Sequence, residues 1–189
     1  MFTLIIGGSA SGKSDYAERH VQSLKGDGPR IYIATMEPFG EEAQARIARH
    51  HAMRRDRGFE TIECYRNAGS LILPEKSNVL LEDLGNLAAN ELFGTQMPQT
   101  AAHKKLRKDD IHSVLLNRLA ADIDSLRAQC SHLTIVTNEV FSGGKDYRGE
   151  TLRYLRLLAA VNRKLAARAD LVVEVVCGLP DVLKSPEIR

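Results

Sequence analysis

The chain has 189 residues, 43% of them hydrophobic, and a formal net charge of +2. That composition suits one compact domain, residues 1–189, and excludes both a strongly basic nucleic-acid-binding field and an acidic solvated tail. The three cysteines, Cys64, Cys130 and Cys177, are odd in number and far apart, which excludes a disulfide framework and a zinc-ligand spacing and makes a reduced cytoplasm the expected setting.

Phe2–Ile6 reads as a strand, too short for the apolar core of a signal peptide. Gly7–Gly12 reads as a tight loop and Lys13–Leu24 as a helix, and 26–29 carry turn chemistry. Arg30–Ala34 is a second strand, 41–57 favours helix, and Thr61–Cys64 is a short strand. Asn78–Leu84 is a buried strand with acids at its carboxyl end, followed by a helix to Phe93. Residues 94–110 are polar and irregular, and Ile111–Ala128 is helical with apolar residues at 111, 115, 119 and 123. His132–Thr137 is a strand, Thr151–Arg168 a helix and Leu171–Val176 the last strand. Strands alternating with helices predict an α/β fold, a mainly parallel sheet with helices on both faces. No stretch approaches the roughly 20 apolar residues of a membrane span.

Gly7-Gly8-Ser9-Ala10-Ser11-Gly12-Lys13-Ser14 fits the phosphate-binding loop G-x-x-x-x-G-K-[ST], with a strand before it and a helix after it. Glycines let successive backbone N–H groups turn toward phosphate oxygens, and the following helix adds the positive end of its dipole. Lys13 is placed to reach the β- and γ-phosphates and Ser14 to ligate Mg²⁺. Such a site also needs an acid at a neighbouring strand end, which Glu82 and Asp83 supply; Asp83 as a helix cap with Glu82 merely exposed is the alternative. Asn138 and Glu139 end another strand in the same way.

Arg46, His50 and Arg54 recur at i, i+4 and i+8 and share one helix face, with His51 offset by about 100°. Two histidines among arginines suit phosphate contact or phosphoryl chemistry; a solvated charged face is the plain alternative. The basic run 103–108 lacks aromatic neighbours for base stacking and reads as solvated surface. Phe141, Tyr147 and Tyr154 read as packing residues.

The motifs, taken in order, resemble the bifunctional adenosylcobinamide kinase / adenosylcobinamide-phosphate guanylyltransferase family. The matching pieces are GGSASGKS, Tyr32-Ile33-Ala34-Thr35, Arg46-Ile47 with His50-His51, Thr61-Ile62-Glu63-Cys64 with Arg66, Leu80-Leu81-Glu82, and Asn90 with Leu92-Phe93. Val136–Val140 (VTNEV) and Asn162, Leu165 and Ala166 complete them. After VTNEV the chain departs from the family pattern: residues 141–149 contain no proline, and an arginine stands where the family's helix carries aspartate.

The resemblance implies a RecA-like fold, a homo-oligomer (a trimer), and a corrinoid small molecule rather than nucleic acid as acceptor. It implies ATP or GTP as substrates, with Mg²⁺ held at Ser14 and Glu82. His50 matches the histidine that carries GMP covalently, and Lys13 is the second catalytic residue. The implied nucleotide contacts are Gly7 to Ser14, Ile33, Ala34, Thr35, His51, Ala52, Met53, Arg54, Glu63 and Glu82. Two other readings stand beside this one: a P-loop small-molecule kinase without a covalent step, and a non-catalytic RecA-type nucleotide-binding module.

Overall fold

The computed structural model describes residues 1–26, 28–38, 57–94, 108–143 and 146–186. Among the described residues there are seven strands: β1 (Phe2–Gly7), β2 (Arg30–Ala34), β3 (Phe59–Glu63), β4 (Asn78–Glu82), β5 (His132–Asn138), β6 (Leu171–Val176) and β7 (Leu179–Lys184). The described helices are α1 (Lys13–Ser23), α2 (Leu84–Phe93), α3 (Lys108–Gln129) and α4 (Gly149–Arg168). The expected helix over 41–57 falls, except for Arg57 in a turn, outside the described residues, as does 95–107 of the expected irregular segment.

The strands form one sheet in the order β3-β2-β4-β5-β1-β6-β7. Every pairing is parallel except β6 with β7. The parallel register collects Gly7, Ala34, Glu63, Glu82 and Asn138 at one edge, the carboxyl ends where open α/β sheets bind ligands. The P-loop strand β1 lies between β5 and β6, and β5 separates it from the acid-bearing β4. This is the mainly parallel P-loop architecture that the alternation of elements predicts.

Strand alternation divides the core in two, because successive side chains point to opposite faces. Ile5, Tyr32, Leu80, Val136, Val173 and Val175 pack with Ala17 and Val21 of α1 on one face. Leu4, Ile33, Val79, Leu81 and Ile135 pack with Leu84 and Leu87 of α2, Leu119 and Ile123 of α3, and Leu158 and Val161 of α4 on the other. Among the described residues no helix is long and apolar enough to cross a membrane.

Several boundaries differ from the sequence expectation. β4 stops at Glu82, because Asp83 takes an extended conformation and accepts the Asn86 N–H at 2.6 Å, capping α2. β3 starts two residues early, at Phe59, whose ring meets Tyr32 edge-on with centroids 6.0 Å apart. Helix α3 starts at Lys108 rather than Ile111. Leu171–Val176 is not the last strand. A two-residue turn, Cys177-Gly178, with φ of 52° and 80°, returns the chain as the exposed antiparallel β7. Pro180 disguises that strand in the sequence, since proline in a sheet is confined to edges, where β7 sits.

Candidate active site

The segment Gly7–Ser14 turns from the end of β1 into the first residues of α1. Ala10 and Gly12 take left-handed backbone, with φ of 55° and 88°. Gly7 has no room for a side chain: a Cβ there would lie 2.5 Å from Ser11 Oγ and 2.7 Å from the Val175 carbonyl oxygen. Lys13 is buried, and its ammonium donates to the Gly8 carbonyl at 3.1 Å, a bond that a phosphate oxygen can replace. Ser11 Oγ is buried without a hydrogen-bond partner.

Glu82 meets this loop directly. Ser14 donates its hydroxyl to one oxygen of the Glu82 carboxylate, and the buried Tyr32 donates to the other at 2.7 Å. A serine hydroxyl that donates to a carboxylate keeps its lone pairs for a cation. The donor set is therefore all oxygen, as Mg²⁺ prefers when it shares its shell with substrate phosphates and water. Among the described residues no group of three or more His, Cys, Asp and Glu side chains could hold a metal ion by itself.

Asp83 has a different job from its neighbour. Burial pushes its carboxyl up, opposed by the hydrogen bonds from the Asn86 N–H and the Asn138 side chain. Tyr154 of α4 lies beside it; burial and the Asp83 charge push that phenol up to about 12. The two sequence alternatives for this acid pair are thus divided: Asp83 caps a helix, while Glu82 is held at the loop.

The Thr35 N–H donates to the Glu82 carbonyl at 3.1 Å, and its hydroxyl bonds both the Asp83 carbonyl and the Asp83 N–H. Asn90 ties β2 to β3 by donating to the Thr35 and Tyr65 carbonyls, and Arg66 donates to the Asn90 carbonyl at 2.9 Å. Thr35 and Ile33 are fully buried, so they shape the strand end from beneath. The Glu139 N–H donates to the Gly7 carbonyl at 3.0 Å, which ties β5 to the start of the loop.

Glu63 ends β3 at the sheet edge, four strands from β1, or about 19 Å at normal strand spacing. It accepts the Tyr65 hydroxyl and is not part of the phosphate cradle. Arg46, His50, His51, Ala52, Met53 and Arg54 lie outside the described residues. Sequence reasoning missed Tyr32 as the second donor to Glu82, and the Asp83–Asn138–Tyr154 cluster. Tyr32 carried one faint signal, a polar tip on an otherwise apolar strand.

A strand–loop–helix phosphate cradle with an acid bonded to its serine defines a P-loop nucleotide-binding protein. The family model described as cobinamide kinase / cobinamide phosphate guanyltransferase matches residues 3–183. The bifunctional adenosylcobalamin biosynthesis protein CobU of Salmonella typhimurium (strain LT2) is 33% identical over 192 residues, covering 95% of this chain and 97% of that one. Its namesake in Escherichia coli (strain K12) is 31% identical over 190 residues, with the same coverage. The chain belongs to the cobinamide kinase / cobinamide phosphate guanyltransferase family.

Solved structures of similar chain path include the flagellar accessory protein FlaH of Methanocaldococcus jannaschii, at 12% identity and TM-score 0.45, covering 98% of this chain and 78% of that one. The ATPase domain of G40P, at 11% identity and TM-score 0.47, covers 92% and 68%. At those values the likeness adds nothing to the fold read from the sheet itself.

Proposed function

We propose that this chain, a single P-loop domain, phosphorylates adenosylcobinamide with a nucleoside triphosphate and then transfers GMP from GTP onto the new phosphate. Membership of the family supports both steps. The Ser14–Glu82 pair at the P-loop is the observation that carries the first. In that step the acceptor hydroxyl oxygen attacks the γ-phosphorus, the bond to the β-phosphate oxygen breaks, the nucleoside diphosphate leaves with the bonding electrons, and the hydroxyl proton is released to solvent. The loop N–H groups and Lys13 hold the phosphates, and Ser14 with Glu82 would hold Mg²⁺, which would supply positive charge against the charge of the triphosphate.

In the second step a neutral His50 nitrogen attacks the α-phosphorus of GTP and pyrophosphate leaves with the bonding electrons. The acceptor phosphate oxygen then attacks the same phosphorus and breaks the P–N bond, restoring the histidine. Support comes from the Arg46/His50/Arg54 spacing, since arginines on the same face stabilise phosphate charge and favour the neutral imidazole. The remaining nucleotide contacts are Gly7 to Ser14, Ala34, His51 to Arg54, Glu63 and Glu82, while the fully buried Ile33 and Thr35, expected as contacts from the sequence, support them from beneath. Glu63, far from the cradle, suits the nucleotide of the second step. The protein acts in the cytoplasm as a homo-oligomer, a trimer.

The test is conversion of adenosylcobinamide, followed by chromatography. Wild type is expected to form the phosphate with ATP and the GDP derivative once GTP is added. Absence of both products refutes the assignment.

A further inference from the structure

Helix α4 covers only part of the sheet face on which it packs. Leu157, Leu158, Val161 and Leu165 enter the core. A second flank carries Arg156, Ala159, Ala160 and Arg163, at the i, i+3, i+4 and i+7 spacing of one helix face. The alanines are too short to close the gap to the sheet, and a groove of about 720 Å³ remains. Leu4 and Ile6 of β1, Val172 of β6 and Leu183 of β7 line it from the sheet side. That volume and that apolar lining are those of a small-molecule site.

The charge on the lining has one sign. Arg156 and Arg163 stand there with His112, and no carboxylate joins them. Both arginines are exposed, and no hydrogen bond or ion pair joins either to another described residue. The groove is also tied to the phosphate cradle. Ile6 directly precedes Gly7. Phe141, 41% exposed, lines the groove, and its N–H donates to the Glu139 carboxylate at 2.9 Å. The N–H of the same Glu139 donates to the Gly7 carbonyl. Phe141 and Arg156 lie in the two places where the chain departs from the family pattern, so both departures fall in one groove.

We propose that this groove binds the phosphorylated acceptor of the second step, with its apolar lining against the acceptor's body and Arg156 and Arg163 on its phosphate. This rests on the two-step reading above and names a surface that reading leaves unassigned. A guanidinium presents paired N–H donors that match phosphate oxygens, and apolar surroundings strengthen such bonds. The acceptor of the first step offers only a neutral hydroxyl at the same position. Two unpaired arginines therefore favour the product of the first step over its substrate and hold it for GMP transfer.

The experiment is equilibrium dialysis of the full chain, without GTP, against adenosylcobinamide and adenosylcobinamide phosphate, read by corrin absorbance. Wild type is expected to hold the phosphate form about tenfold more tightly or better, as charge-assisted bonds to phosphate require. Arg156→Gln combined with Arg163→Gln is expected to bring the two affinities within about twofold, by weakening the phosphate form alone. Both positions are exposed, and retention of ATP by the double variant checks its fold. Ala159→Trp fills the groove and is expected to weaken both corrinoids by about tenfold or more. Equal affinity of wild type for the two corrinoids overturns the proposal, as does a double variant that keeps the wild-type preference. So does an Ala159→Trp variant that retains ATP and binds both corrinoids as wild type does. Sedimentation tests the other occupant: a smaller Ala159→Trp assembly with unchanged corrinoid affinity puts a second copy of the chain in the groove and overturns the proposal. If wild type neither binds nor converts either corrinoid, the acceptor assignment itself falls.

Discussion

Replacing Glu82 by glutamine separates the acid's charge from its shape. The Glu82 carboxylate accepts two hydroxyl hydrogens, one on each oxygen, from Ser14 and from Tyr32 at 2.7 Å. Glutamine offers one oxygen acceptor and an NH2 that only donates, so one of the two hydroxyl hydrogens loses its acceptor. Tyr32 is buried and cannot turn to water, whereas Ser14 is the residue assigned to the metal. A hydrogen bond to a charged group contributes about 1.5–3 kcal/mol. Expressed wholly in the transition state, that is about a ten- to hundred-fold loss of rate. The lost negative charge at the proposed Mg²⁺ site adds to it, so Glu82→Gln is expected to lower kcat for ATP-dependent phosphorylation of adenosylcobinamide by about a hundredfold or more. The KM for ATP should move only severalfold, because the loop N–H groups and Lys13 remain. Chromatographic product formation gives both constants, and circular dichroism confirms the fold. A folded variant with kcat within about twofold of wild type refutes the reasoning, as does a loss confined to KM, which marks ground-state binding alone.

His20, on α1, shares its Nε2 with the Thr3 hydroxyl at 3.2 Å and stacks on Tyr16; burial, and then the facing His132 of β5, hold its pKa below the ordinary value. The unfolded chain therefore binds the proton more readily, and stability should fall as pH drops through about 6.5 toward the lowered folded value, while the contribution is intact above that range. Denaturant midpoints at about pH 7.5 and 5.5 should differ less in His20→Gln than in wild type, and an unchanged difference contradicts the assignment. Gly7→Ala forces a Cβ to within 2.7 Å of the Val175 carbonyl oxygen, whereas a Cβ on Gly8 meets nothing within 4 Å. Gly7→Ala should cost about 1–3 kcal/mol and weaken ATP binding, with Gly8→Ala thermally close to wild type; equal melting temperatures for the two variants would sink the packing argument.

The P-loop was legible in the sequence because its function is carried by contiguous backbone and needs glycine, lysine and serine at fixed offsets. Glu82 was legible because a strand's carboxyl end is a known place for an acid. Its partner Tyr32 was not, since the contact is made only when β2 and β4 pair in register, Tyr32 beside Leu80 and Ala34 beside Glu82. The same holds for the Gly178 N–H, which donates to the Ser11 carbonyl: nothing in the local sequence of a hairpin turn says what it will touch. Asp83 shows the opposite limit. Its residue type fits a metal ligand and a helix cap equally well, and only the extended backbone and the Asn86 N–H decide for the cap. β7 was hidden because its Pro180 and Asp181 argue against a strand, and an exposed edge tolerates both. The histidine helix was the boldest reading of the sequence, and its residues are those whose placement the structure does not describe.

The most direct test of the two-step account is therefore chemical and centres on His50. GTP labelled at the α-phosphate is incubated with the protein, Mg²⁺ and pyrophosphatase, and protein-bound label is measured after acid and after alkali. The account predicts a label that acid removes and alkali spares, as a P–N bond requires. It predicts that His50→Ala takes none, yet still phosphorylates adenosylcobinamide with ATP and stops at the phosphate. A wild-type protein that takes no label, or a His50→Ala variant that labels and completes both steps, would contradict it.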